Sequence, residues 1–141
     1  MTYLSIITAA AKAAGLSVTL LYSICAHESK DYTLDYAMYD NGSPSYSVCQ
    51  VKLGTAEMFG FKGEPMELRE PRIGAKYAAL YLKYQITKYN GNICKAVSAY
   101  NSGTYTESPK NPGLPKNLRY IKLVKEKLPE EYKYLLNCEN K

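Results

Sequence analysis

The 141-residue sequence lacks the features that mark several common protein classes. It has no internal repeat and no low-complexity linker, which argues against a repeat protein or a fibrous protein. Lysine and arginine are scattered without a dense basic block, so no nucleic-acid-binding arm is indicated. The apolar stretch at residues 16–26 is too short to span a membrane. It is not interpreted as a signal peptide either, because cleavage there would remove the helix that carries Glu28, a candidate catalytic residue.

Histidine and cysteine are also too few, or too widely spaced, for several kinds of site. His27 is the only histidine, and no serine or cysteine nucleophile motif accompanies it, which argues against Ser-His-Asp or Cys-His catalysis. Cys25, Cys49, Cys94 and Cys138 lack the short spacing of a zinc knuckle or a redox dithiol, so we expect no metal and no cofactor. We expect Cys25 and Cys49 to be reduced and packed as small apolar residues, with a disulfide as the alternative.

The rest of the composition is that of an ordinary globular chain, with 46% hydrophobic and 22% charged residues. The length fits one compact domain, which we assign to residues 1–141. Tyrosine is abundant, with 15 residues against no tryptophan, and its flat face and polar tip suit a sugar ring as well as a half-buried core. The net charge of +5 favours a polyanionic partner, a description that fits peptidoglycan and nucleic acid alike.

Hydrophobic periodicity predicts a mainly helical chain with a small β-hairpin in its middle. Gly15 and Gly103 stand just past predicted helix ends, and Pro71 stands at the first position of a long helix. The helical period fails between residues 31 and 50, where the turn cluster at residues 40–44 separates two short segments that would pair. The predicted helices cover residues 3–14, 17–29, 53–59, 71–88, 93–102 and 116–128, with a last short helix ending at Leu136.

Glu28 lies on the face of its helix where a charged side chain is least expected. Leu21, Ile24 and Cys25 precede it by seven, four and three residues, so the carboxyl group falls within the apolar stripe. Loss of hydration raises the pKa of such a group, which then carries a proton near neutral pH. A general acid for glycosidic cleavage needs this property. On the helical pattern alone, an inert glutamate at a helix end is the alternative.

Four blocks between residues 16 and 128 resemble, in order, the motifs of lytic transglycosylases of the goose-type-lysozyme-like superfamily. AHES at residues 26–29 resembles the first motif, and SVCQ at residues 47–50 is similar to the Gly-Leu-Met-Gln block. AYNSG at residues 99–103 is close to the Ala-Tyr-Asn-Ala-Gly signature, and Tyr120 begins a segment that matches the late tyrosine motif. Each block is weak alone, but four in order with compatible spacing are specific.

The resemblance implies a lysozyme-like α+β fold, with the hairpin beside an active-site cleft, and an enzyme that degrades peptidoglycan. In that family a glutamate, here Glu28, protonates the β-1,4 oxygen between N-acetylmuramic acid and N-acetylglucosamine. It then takes the proton of the muramic C6 hydroxyl, which closes a 1,6-anhydro ring without a second carboxylate. The resemblance further implies substrate-binding or positioning roles for Gln50, Tyr100, Asn101, Tyr120 and Ser29.

These implied roles differ in kind. Gln50 and Asn101 would hydrogen-bond to the sugar and its N-acetyl group. Tyr100 and Tyr120 would position the glutamate or pack on the sugar. Ser29 matches a structural serine that helps to end the helix.

The sequence departs from the family's pattern in the wall of the cleft. Ser47 replaces a glycine and Cys49 replaces a methionine. Glu70-Pro71 replaces Asp-Pro, and Gly74 stands where asparagine is usual. We therefore expect the fold of the family with altered sugar contacts.

The segment between the first two blocks is longer than the common form, so either Ser43 or Ser45 matches the family's intervening serine. The same segment contains Asp31, Asp35 and Asp40, and any of them would supply the second carboxylate of a hydrolytic muramidase of the same fold. Turn formation is the alternative role of these aspartates.

Two other function classes are less well supported. A non-catalytic peptidoglycan-binding or assembly module would not need Glu28, Gln50 and Asn101, and a nucleic-acid binder would need a recognition motif that is missing here. We expect a monomer that acts on bacterial peptidoglycan glycan strands, without nucleic acid and without stable membrane insertion. No export signal is recognised, so the expected location is the host cytoplasm until holin-dependent release to the cell wall in the periplasm, as for a phage endolysin.

Overall fold

A computed structural model describes residues 1–39 and 42–138. Helices dominate these residues, with one small antiparallel sheet, so the predicted fold class is confirmed. In chain order the elements are α1 (Tyr3–Ala14), α2 (Val18–Glu28), β1 (Tyr36–Met38), β2 (Pro44–Tyr46), α3 (Leu53–Met58), α4 (Pro71–Lys88), α5 (Ile93–Ser102) and α6 (Leu118–Lys127). Short 3₁₀ helices cover Pro65–Arg69 and Glu130–Leu136.

The helix ends follow the local signals in the sequence. The Thr2 side chain caps the start of α1, and Gly15 closes the helix in a left-handed conformation with φ 72°. Asn92 caps α5 by accepting a hydrogen bond from the backbone N–H of Lys95. Two segments differ from the prediction. The last helix is a 3₁₀ helix, and the 3₁₀ helix over Pro65–Arg69 was not predicted, since its five residues are too few to show a helical period.

Helix α4 forms the centre of the fold, where it packs against α1 and α5. Leu82 and Ala78 of α4 have no exposed surface, and neither have Leu21 and Ile24 on α2. Helix α2 packs between α1 and α6, so the apolar stripe predicted around Glu28 is buried in the core. The C-terminal end of α2, with Glu28, is thus supported from both sides.

The hairpin brings the middle of the chain back to the end of α2. Strands β1 and β2 pair antiparallel with Tyr36 opposite Tyr46, and the backbone of Tyr46 then pairs with Val51 through two hydrogen bonds of 2.8 Å. The loop from Ser47 to Gln50 is therefore folded back onto β2. Of the predicted turn cluster, residues 40 and 41 lie outside the described residues.

All four cysteines form disulfides, so the expectation of reduced thiols at Cys25 and Cys49 is wrong. Cys25 pairs with Cys49, with their Cα atoms 4.2 Å apart, and Cys94 pairs with Cys138. Cys25 and Cys49 are 24 residues apart in sequence, and only the fold of the hairpin brings them together. Linear spacing could not show this proximity.

None of the helices in the described part of the chain is long and apolar enough to cross a membrane. Within the same residues, no three His, Cys, Asp or Glu side chains are grouped so that they could hold a metal ion.

Candidate active site

Glu28, the last residue of α2, lies where two cavities meet. The first cavity, of about 450 Å³, is lined by the Gln50 loop, α4 and α5, and includes Gln50, Lys52, Tyr81 and Tyr100. The second cavity, of about 660 Å³, is lined mainly by the end of α2 and by α6, and includes His27, Asp31, Tyr120 and Lys127. Glu28, Tyr39 and Asn101 line both cavities. A long polymer lying through both cavities would therefore pass over this carboxyl group.

Burial raises the pKa of Glu28 to about 7, as its place in the apolar stripe predicted. Two smaller effects oppose the rise because both favour the ionised form. The Tyr120 hydroxyl donates a hydrogen bond of 2.7 Å to Glu28 Oε2, and the positive charge of Lys52 acts from the first cavity. The carboxyl group is thus able both to give and to take a proton near neutral pH.

Tyr120 keeps its own proton and fixes the orientation of the carboxyl group. The residue is buried, and both burial and the nearby Glu28 raise its pKa well above the ordinary value. The His27 ring meets the Tyr120 ring edge to face, with 5.2 Å between the ring centres. Burial and the charge of Lys127 lower the pKa of His27, which favours the neutral ring. His27 therefore supports Tyr120 in the wall of the second cavity.

The side chain of Gln50 is held in one orientation on the other side of Glu28. Its Nε2 donates to the Ser47 carbonyl oxygen, and its Oε1 accepts from the Tyr39 hydroxyl, both at 3.0 Å. The Tyr100 hydroxyl donates a 2.8 Å hydrogen bond to the carbonyl oxygen of Cys49, the residue before Gln50. One amide hydrogen and one oxygen lone pair of Gln50 remain for a ligand.

Ser47 and Gly74 both depart from the family's pattern, and they lie next to each other behind the loop from Ser47 to Gln50. Ser47 adopts a left-handed conformation with φ 68°, which favours the glycine it replaces. A Cβ on Gly74 would collide with the Ser47 side chain and would lie 2.8 Å from the carbonyl oxygen of Leu68. The larger residue at position 47 thus requires the smallest one at position 74.

Asn101 lies in the last turn of α5 and is exposed to both cavities. Its Oδ1 accepts a 2.9 Å hydrogen bond from Asn117, the residue before α6. The buried Gln85 of α4 donates to the carbonyl oxygen of Gly103, at 3.1 Å, where α5 ends. Asn117 therefore holds the Asn101 side chain, and Gln85 supports the end of the helix that carries it.

Ser29 does not reach either cavity. It has no exposed surface, its hydroxyl donates to the Cys25 carbonyl oxygen, and it accepts from the Tyr32 N–H, both at 2.7 Å. These bonds end α2 in the way the motif implied. The structure therefore corrects its grouping with the substrate-binding residues, because the hydroxyl is covered and already bonded to backbone.

Two of the three candidate second carboxylates form ion pairs with other residues. Asp31 binds Lys127, with both carboxylate oxygens within 3.0 Å of Nζ, and Asp35 binds Arg69 at 2.8 Å. Asp31 lies at the edge of the second cavity. Asp40 lies outside the described residues.

Sequence reasoning missed three residues that line the cavities. Tyr39 and Lys52 flank the Gln50 loop, and Tyr81 of α4 packs against Tyr100 with 5.3 Å between the ring centres. The abundance of tyrosine was the available signal, but composition does not show which tyrosines line a cavity. Of the two candidate serines, Ser45 lines the first cavity, so it fits the family's intervening serine better than Ser43 does.

A family model, described as the transglycosylase SLT domain, matches residues 5–112. The chain belongs to this family. The resemblance drawn from the sequence motifs is therefore confirmed. The matched range contains Glu28, Gln50 and Asn101 but ends before Tyr120, whose contact with Glu28 is seen in the three-dimensional structure alone.

Among solved structures, the chain is similar to the lytic transglycosylase Slt from Pseudomonas aeruginosa, determined by X-ray as an inactive glutamate-to-glutamine mutant. The TM-score is 0.61 and the identity is 22%, over 95% of this chain and 22% of that one. The chain thus corresponds to about a fifth of that protein, and the similarity shows a shared fold. No curated protein matches the chain.

Proposed function

We propose that this chain is a lytic transglycosylase that cleaves the β-1,4 bond between N-acetylmuramic acid and N-acetylglucosamine in peptidoglycan. Protonated Glu28 gives its proton to the glycosidic oxygen while the bond from that oxygen to C1 of muramic acid breaks. The ionised Glu28 then takes the proton of the muramic C6 hydroxyl, whose oxygen bonds to C1. The products are a free N-acetylglucosamine end and a 1,6-anhydromuramic end, and Glu28 is protonated again.

The observation that carries this proposal is the position of Glu28 at the junction of two cavities, with a pKa of about 7. A group that must act first as an acid and then as a base works best when its pKa lies near the working pH. The hydrogen bond from Tyr120 supports both steps, because it keeps one carboxyl oxygen in place while the other faces the substrate. A mechanism with one carboxylate also agrees with the ion pairs that occupy Asp31 and Asp35.

The proposal is tested by mass spectrometry of muropeptides released from purified peptidoglycan. We expect fragments that end in 1,6-anhydromuramic acid and are therefore one water lighter than hydrolysis products. Glu28→Gln should lower the rate of release by about 100- to 10,000-fold, the range typical of a lost general acid. Full release by Glu28→Gln would overturn the assignment of Glu28.

A hydrolytic muramidase of the same fold is the second candidate, because Asp31 lies at the edge of the second cavity. In this mechanism Asp31 would leave Lys127 and activate a water molecule. Release of fragments with reducing muramic ends, which contain the added water, would support the hydrolytic mechanism. Loss of these fragments in Asp31→Asn would identify Asp31 as the base. Anhydro ends that persist in Asp31→Asn support the transglycosylase.

We further propose that the enzyme acts at the cell wall, after release from the cytoplasm in which it is made. The two disulfides support this setting, since such bonds form and persist in oxidising compartments such as the periplasm. A monomeric phage endolysin released by a holin fits this setting. Fractionation of host cells before and after lysis, combined with thiol labelling, tests where the protein resides and when its disulfides form.

A further inference from the structure

Lys52 brings a positive charge to the wall of the first cavity, and the mechanism proposed above does not use it. It lies two residues after Gln50, at the position just before α3, and its side chain makes no capping hydrogen bond to that helix. Its Nζ donates a 3.2 Å hydrogen bond to the Ser43 hydroxyl and lies 4.9 Å from the centre of the Tyr39 ring. Tyr39 in turn bonds to Gln50. The ammonium group is thus attached to the same framework that orients the Gln50 amide.

In the described part of the chain, the charge of Lys52 remains open to a ligand, whereas that of Lys127 in the second cavity is paired. Lys127 forms an ion pair with Asp31, with the oxygens at 2.8 and 3.0 Å. Among the described residues no carboxylate lies within ion-pair distance of Lys52. Of the residues that the structure describes, Glu28 and Lys52 are the charged ones in the wall of the first cavity. A hydroxyl and an aromatic face leave the charge of an ammonium group uncompensated, so an anionic ligand group would complete its surroundings.

The substrate class supplies such a group in one place. In peptidoglycan the sugars themselves are neutral, because the lactyl carboxyl group of muramic acid is used in the amide bond to the stem peptide. The free carboxylates belong to the stem peptides, which are attached to muramic acid alone. In intact strands, a cation beside the glycan cleft therefore meets a carboxylate of the stem peptide attached to the muramic acid near it.

We propose that Lys52 determines specificity by binding a stem-peptide carboxylate of a muramic acid seated in the first cavity. The inference rests on the proposed function and names the form of the substrate, a strand that still carries its peptides. An ion pair at the rim of a cleft contributes little, so the expected preference for strands with free stem-peptide carboxylates over strands with amidated ones is about fivefold in kcat/KM. The preference should fall as salt is added, because screening weakens exposed ion pairs.

The test compares intact glycan strands with the same strands whose stem-peptide carboxylates have been converted to neutral amides. Lys52→Met keeps the length of the side chain and removes its charge. It should raise KM more on strands with free carboxylates than on amidated strands and so abolish the preference, while any change that acts through the pKa of Glu28 affects both substrates alike. Lys52→Arg should keep the preference. Lys110→Met, in an exposed loop that lines neither cavity, is the matched control and should behave as wild type.

The ratio between the two substrates separates this role from the effect of Lys52 on the pKa of Glu28. A change in proton transfer would alter both substrates equally and would shift the pH profile. Equal losses on both substrates in Lys52→Met, or a wild-type enzyme without preference, would overturn the inference while leaving the proposed function intact. A wild-type enzyme that cleaves neither substrate would instead overturn the proposed function.

Discussion

The two cavities that meet at Glu28 are built in different ways. The first is held by bonds between distant parts of the chain, including the Cys25–Cys49 disulfide and the hydrogen bonds of Tyr39 and Tyr100 to the Gln50 loop. The second is formed mainly by the end of α2, the segment that follows it and α6, and its wall includes the ion pair of Lys127 and Asp31. The first cavity therefore carries the polar groups that are fixed by contacts between distant segments, and these groups are suited to recognising a substrate.

Glu28 is influenced from both cavities, and the balance decides its pKa. Tyr120 from the second cavity and Lys52 from the first both favour the ionised carboxylate, while burial favours the protonated form more strongly. The effect of burial on the pKa is the largest of the three, since the pKa is raised to about 7. The tertiary structure thus disfavours the ionised form of Glu28. The variants below test which groups in the two cavities contribute to this effect.

The largest expected effect separates the two disulfides. Loss of either by double alanine substitution should lower the free energy of unfolding by about 3 to 4 kcal/mol, because the entropy of loop closure changes little between separations of 24 and 44 residues. Only Cys25→Ala with Cys49→Ala should also lower kcat/KM at a temperature where both variants are folded, since this disulfide joins the helix of Glu28 to the loop of Gln50. Chemical denaturation and muropeptide release measure the two effects. Equal activity losses in Cys94→Ala with Cys138→Ala would show that the first cavity has no special dependence on its disulfide.

The second prediction concerns Glu28, at the junction of the two cavities, and its effect on how the free energy of unfolding depends on pH. The folded-state pKa of Glu28, about 7, lies above the ordinary value of 4.5, so the stability present below pH 4.5 is lost as the pH rises through 7. Glu28→Gln does not ionise. Relative to wild type, it should therefore gain about 3 kcal/mol in free energy of unfolding between pH 4 and pH 8. Denaturation at both pH values measures this, and a constant difference would contradict the raised pKa.

A smaller effect tests the wall behind the first cavity. Gly74→Asn should destabilise the protein by about 1 to 3 kcal/mol, because the new side chain collides with Ser47. Ser47→Gly relieves the collision with the Ser47 side chain and also suits the positive φ, so the double variant should recover part of the loss, while the close approach to the Leu68 carbonyl oxygen remains. A double-mutant cycle measured by thermal unfolding gives the coupling. Additive effects would mean that the two positions are independent.

The smallest effect concerns the second cavity. Tyr120→Phe removes the hydrogen bond that favours ionised Glu28, so the pKa of Glu28 should rise further and the alkaline limb of the kcat profile should move to higher pH. The free energy of unfolding above pH 7 should fall by about 1 kcal/mol more than it does at pH 5. An alkaline limb that stays in place or moves to lower pH would mean that Tyr120 has a different role.

Much of the fold could be predicted because its signals are local. A period of three to four residues, a capping side chain and a terminating glycine act within one or two turns of helix, so α1, α4 and α5 were found at their observed bounds. The pattern around Glu28 also sufficed to predict a raised pKa, since burial follows from the face of the helix on which a residue lies. The motifs identified the family that the family model confirms.

The partners of these residues were decided by tertiary structure, because they join segments that are far apart in sequence. Tyr120 and Glu28 are 92 residues apart, and Tyr100 and Cys49 are 51 apart. The way in which the hairpin folds back against α2 and α4 decides three further features. These are the pairing of Cys25 with Cys49, the contact between Ser47 and position 74, and the position of Lys52 beside Glu28. The sequence by itself determined which carboxyl group is buried. Only the fold decided which groups surround it, since contact between distant segments depends on packing that no local pattern encodes.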